Sequence, residues 1–136
     1  MHKATSRGTR IAHIGIAVDA LDRTLPLYRD VLGLQEQPLD DADGARIAGF
    51  RSGDSLVELL EAQHPDSPIG KFVAKRGPGI HHICFAVDDL NATLDRCRRA
   101  GVRLIDQEPR MGAEGKRIAF LHPSSTGGVL IELTEH

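Results

Sequence analysis

Apolar and polar positions alternate with a period of two through "RIAHIGIAV" (residues 10–18), with Ile14, Ile16 and Val18 on one face and His13, Gly15 and Ala17 on the other. Such alternation marks a half-buried strand. The next segment reads as a helix capped by Asp19 or Asp22 and ending near Leu32, where "GL" breaks it. Pro26 falls inside that helix, where it would cost about 3 kcal/mol, which argues for a first turn that begins later. Extended segments are predicted around 33–38, 45–51 and 55–61, divided by "DDADG" and "RSGD". Residues 66–76 read as a short linking helix. The plan then repeats, with a strand over 80–87, a helix from Asp88 or Asp89 to about Ala100, and strands near 102–106, 117–121 and 128–134.

The repeat extends to individual residues. At a spacing of 69, His13–Arg29 and His82–Arg98 agree at nine of 17 positions without a slip in order. The pattern therefore predicts an α+β fold of two paired βαβββ modules. Module 1 covers about 10–62 and module 2 about 79–135, joined by the helical linker within one domain of residues 1–136. Neither four-stranded sheet could bury both faces alone, so pairing is the expected solution. A ferredoxin-like sandwich shares part of the element order but does not call for the internal match.

Composition narrows the function classes. A chain of 136 residues with 40 % apolar and 26 % charged residues can bury a sizeable core as one domain. A net charge of −2 argues against nucleic acid, and the absence of Trp with only four Phe and one Tyr leaves little for base stacking. The basic start "MHKATSRGTR" is followed by no apolar run, and no stretch of 18 apolar residues occurs, so neither export nor membrane insertion is expected. Two cysteines, Cys84 and Cys97, make no disulfide framework, and a cytoplasmic location is the expectation.

The leading strands turn Ile and Val toward the helices and turn His with small residues the other way, as a cavity wall requires. The closing strands match them. "LVELLE" places Glu58 with Leu56 and Leu60, and "VLIELTE" places Glu132 with Leu130 and Thr134. An acid inside an apolar strand is costly unless it is paired or bound to metal. A lone strand His is more often a satisfied structural residue, and a lone strand Glu usually faces water; the twofold recurrence is what lifts the set. His13, Glu58, His82 and Glu132 thus form a candidate four-ligand site, whose imidazole and carboxylate donors suit Zn, Fe, Co, Ni or Mn. His81 should point away from His82. Lys116, Arg117 and His122, beside the "HPSSTGG" turn, are weak candidates for substrate binding.

The strings "HIGIAV", "LVELLE", "DSPIGKFVAKRG", "GIHHICFAVDDL" and "GKRIAFLHPSSTGGVLIEL" resemble the vicinal oxygen chelate superfamily and, within it, the methylmalonyl-CoA epimerases, over about Ile11–Leu133. The resemblance implies an α+β fold in which the two paired βαβββ modules form curved mixed sheets around a metal-binding cleft, with His13, His82 and Glu132 as metal ligands and Glu58 in the remaining position. It also implies a divalent ion, Co²⁺ first and Zn²⁺, Mn²⁺, Ni²⁺ or Mg²⁺ as alternatives, with two positions left for substrate. The implied reaction interconverts (R)- and (S)-methylmalonyl-CoA by proton abstraction at C2 and reprotonation of a metal-stabilised enolate. Glu132 serves as acid–base as well as ligand. An acyl-CoA substrate and a homodimer belong to the same implication. The chain departs from the family at the third strand, where Arg46 and Ile47 stand in place of a Glu, at Glu58, where some members carry Gln, and at Ser124, where many carry Lys. The alternatives are a lactoylglutathione lyase-like isomerase and a metal-free ligand-binding protein on the same fold.

Overall fold

Both leading strands form where the alternation puts them. The computed structural model describes residues 8–112 and 115–136; the beginning of the basic stretch, with His2, lies outside the described residues. Strand β1 (Arg10–Val18) leads into α1 (Leu21–Leu25), which continues as a π-helical turn (Pro26–Val31). β2 (Gln35–Gln37), β3 (Ala45–Ser52), β4 (Ser55–Ala62) and helix α2 (Pro68–Arg76) follow. The plan then recurs as β5 (Gly79–Val87), α3 (Leu90–Arg99), β6 (Arg110–Met111), β7 (Arg117–Leu121), a 3₁₀ turn (Pro123–Ser125) and β8 (Leu130–Glu135).

The backbone divides into two compact units, His13–His82 and Ile83–His136 with the chain up to Ala12. In the first, the strands run in the order β2-β3-β4-β1, with β1 parallel to β4 and the other pairs antiparallel. In the second the order is β5-β8-β7-β6, antiparallel from β8 to β6. This is the βαβββ arrangement expected twice, an α+β fold with mixed pairing. No helix among the described residues is long and apolar enough to cross a membrane.

Helices α1 and α3 pack on the faces that alternation assigned to them. Ile16, Val18, Val57, Leu59 and the fully buried Phe50 meet Leu21, Leu25 and Tyr28. In the other unit Phe85, Val87, Ile131 and Leu133 meet Leu90, Leu94 and Cys97. Burial pushes the Cys97 thiol up, against the opposing pull of Arg96 and Arg98, so this cysteine stays protonated and serves packing. On the opposite face of the first unit, Ala17, Ala45, Ile47 and Leu60 are covered by Ile69, Phe72 and Val73 of α2. Ser67 starts that helix: its hydroxyl accepts from the Gly70 N–H at 3.1 Å and donates to the His64 carbonyl at 2.8 Å.

Three sequence expectations are corrected. Neither Asp19 nor Asp22 caps α1; Ala20 occupies the cap position and offers no side-chain bond. Pro26 does not delay the first turn. It opens the π-helical stretch, in which the Leu32 N–H donates to the Leu27 carbonyl at 2.8 Å, and the wider turn accommodates a residue with no N–H. Residues 102–106 are not a strand beyond a single bridge, Leu104 to Leu121. The Ile105 N–H still donates to the Phe120 carbonyl and the His122 N–H to the Arg103 carbonyl, each at 2.9 Å. The Phe120 N–H, however, goes to the Asp106 carboxylate at 2.8 Å, which also pairs with Arg110 at 3.0 Å, and regular pairing moves on to β6.

Candidate metal centre

The register of the first sheet determines what surrounds Glu58. Its partners directly across the ladder are Gly15 on β1 and Gly49 on β3, so neither of the directly opposite positions carries a side chain. Leu39 lies over Gly49, and the imidazole of His82 lies over Gly15. Glu58 is 6 % exposed and His82 8 %. A carboxylate so buried needs charge or hydrogen bonds close by. His13 is close by, its Nδ1 lying 3.6 Å from Glu58 Oε2.

His13 also reaches the second histidine. The Nε2 atoms of His13 and His82 are 2.9 Å apart, with the rings perpendicular. Two imidazole nitrogens each about 2.1 Å from one ion, at right angles, stand about 3.0 Å apart. The donor atoms of His13, Glu58 and His82 all lie within 4.8 Å of one another. The set therefore fits a transition-metal cation in spacing and in donor chemistry.

A cavity of about 370 Å³ in the same unit is lined by Val18, Asp19, Arg23, Tyr28 and Gly79 rather than by these ligands. Cavity size does not mark the site here; donor chemistry does. Gly15 is required by close approach, because a Cβ there would stand 2.3–2.9 Å from three His82 ring atoms. Gly15→Ala should displace the imidazole, destabilise the protein by about 1–3 kcal/mol, and weaken metal binding. Thermal unfolding with and without added cation separates the two effects.

The structure places the remaining sequence-derived candidates as follows. Glu132, 8 % exposed, stands on β8 in the second unit, while Leu133 beside it packs into the core. A Glu132 carboxylate oxygen lies within 4.8 Å of Sγ of the fully buried Cys84. Arg117 lies 3.7 Å from Glu135. His122 accepts the Ser124 N–H on Nδ1 at 3.0 Å and so caps the 3₁₀ turn. Lys116 is exposed. His81 departs from the alternation, since its Nδ1 lies 2.9 Å from Nδ1 of His82 and the two rings meet edge to face.

Two acids went unnoticed in the sequence. Glu61 Oε1 accepts the Leu21 N–H and Glu135 Oε2 the Leu90 N–H, each at 2.9 Å, so β4 and β8 satisfy the first N–H of α1 and α3. Arg46 lies 3.6 Å from Glu61, as Arg117 flanks Glu135. The signal was present: Glu58 and Glu61 recur as Glu132 and Glu135, with the first acid of each pair buried and the second at a helix start.

Residues 12–120 match the sequence profile of the Glyoxalase/Bleomycin resistance protein/Dioxygenase superfamily. The chain is 38 % identical to an ethylmalonyl-CoA/methylmalonyl-CoA epimerase of Cereibacter sphaeroides, over 93 % of this chain and 97 % of that one. The chain belongs to this superfamily, in its methylmalonyl-CoA epimerase family. The human mitochondrial methylmalonyl-CoA epimerase is 37 % identical, over 93 % of this chain and 73 % of its own. The crystal structure of methylmalonyl-CoA epimerase from Mycobacterium tuberculosis superposes with a TM-score of 0.85 at 37 % identity, covering 99 % of this chain and 91 % of that one. The mixed-sheet fold of this epimerase family is the one the internal repeat predicted.

Proposed function

We propose that the protein is a metal-dependent epimerase that interconverts (R)- and (S)-methylmalonyl-CoA. The observation that carries this reading is the convergence of His13, Glu58 and His82 within 4.8 Å, in a chain whose relatives are named as epimerases of that substrate. Glu132 is the fourth ligand in this reading, as the repeat counterpart of Glu58, and Co²⁺ is the expected ion. When bound, a divalent cation draws charge from the thioester carbonyl oxygen and so stabilises the negative charge released at C2.

The chain's own residues handle the proton. The C–H bond at C2 lies between a thioester carbonyl and a carboxylate, and both groups acidify it. Glu132 takes the proton, the bonding pair moves into the C1–C2 bond, and the thioester oxygen gains the charge. Return of a proton to the opposite face gives the other epimer. The third strand supplies no acid for that face, since Arg46 and Ile47 occupy the position, so the proton returns from an acid elsewhere, such as Glu58, from a water, or from Glu132 itself in a one-base mechanism.

The test is deuterium incorporation at C2 of methylmalonyl-CoA in D₂O, followed by NMR, with protein stripped by chelator and then refilled with Co²⁺. Exchange with inversion only after refilling is expected. No exchange in either state would remove the epimerase reading and direct the search to hemithioacetals and to non-catalytic ligands.

A further inference from the structure

The ligand set uses one member of the "HH" pair and leaves the other, His81, without a part. Its side chain is half-buried, and His82 and Phe72 of the same unit lie against it. His82 faces it Nδ1 to Nδ1 at 2.9 Å. Phe72, on α2, meets the His81 ring edge to face with centroids 5.0 Å apart. Phe72 in turn carries the Arg76 guanidinium 5.8 Å from its ring centre. Strand alternation alone would turn His81 to the opposite face, and both contacts draw it toward His82.

An imidazole that binds a cation through Nε2 keeps its proton on Nδ1, and in a buried site that N–H needs an acceptor. We propose that His81 is a positioning residue: its Nδ1 accepts the Nδ1–H of His82 and fixes the tautomer that offers the His82 Nε2 lone pair to the cation. His81 remains neutral with its own proton on Nε2, and Phe72 sets the angle of its ring. This inference rests on the proposed metal site and adds the group that orients one of its ligands.

The experiment measures Zn²⁺ affinity of the full-length, metal-stripped protein by competition with a chromophoric chelator, for wild type, His81→Leu and His81→Asn. Leucine keeps bulk against Phe72 but cannot accept a hydrogen bond, whereas the asparagine carboxamide oxygen can take the place of Nδ1. His81→Leu should bind Zn²⁺ about 10–100-fold more weakly, and His81→Asn should recover most of the loss. In ¹⁵N-histidine spectra of the wild-type Zn²⁺ form, His82 should show a protonated Nδ1 and a metal-bound Nε2. Unchanged affinity in His81→Leu overturns the proposal, and so does an equal loss in both variants, which would assign His81 a packing role. Zn²⁺ on Nδ1 of His82 overturns it without any variant. Failure of the wild type to bind Zn²⁺ overturns the metal site itself, a result distinct from the other three.

Discussion

Glu132→Gln should reduce C2 exchange by about 10²–10⁴-fold, the usual contribution of a positioned general base, while the thermal midpoint of the metal-free protein hardly moves. The amide keeps the shape of the side chain but cannot take a proton. The fold should tolerate it because β8 is held by its pairing with β7, where Phe120 stands opposite position 132, and by Leu133 in the core. The measurement is NMR-detected deuterium exchange beside a thermal melt. Wild-type exchange rates in the variant would remove Glu132 from the mechanism.

His13→Ala and His82→Ala should each abolish stoichiometric metal and, with it, turnover. The two residues are not equivalent. His13 touches both other ligands of its unit, His82 at 2.9 Å and Glu58 at 3.6 Å, so its loss also strips a buried carboxylate of its nearest base. His82→Ala empties the space over Gly15 and should cost less in the metal-free protein. The discriminating quantity is the thermal shift on adding cation. A ligand at 100 times its Kd stabilises the native state by about 2.7 kcal/mol, and that gain should vanish in both variants. Retention of one ion per chain in either variant would break the site as drawn.

The candidate ligands were legible as a set because two periodicities coincide. Alternation within β1 and β5 assigns His13 and His82 to one side of their strands, and recurrence at a spacing of 69 shows that the assignment is repeated. Glu58 and Glu132 became visible as acids flanked on both sides by Leu, Ile or Val in their strands. His81 was misplaced because alternation describes the backbone pleat alone. A long, flat side chain next to a buried partner can turn back toward it, and here Phe72, five positions into α2, makes that turn favourable.

What the sequence determined by itself was whatever repeats locally: strand faces, the βαβββ order, a start of α3 at Asp88 or Asp89, of which the structure uses Asp89, and the residue types of the candidate ligands. Only the tertiary structure decided the contacts between residues far apart in the chain. Pro26 opens a π-turn rather than delaying a helix; Asp106 ends an extended segment by bonding to Phe120; Glu61 and Glu135 complete helices that begin 40 and 45 residues away from them in sequence. Local propensity cannot see these, because each is decided by which donor or acceptor the fold delivers to an unsatisfied backbone group. The 2.9 Å between His13 and His82 is of the same kind: two residues 69 apart meet because the imidazole of one occupies the space that Gly15 leaves open.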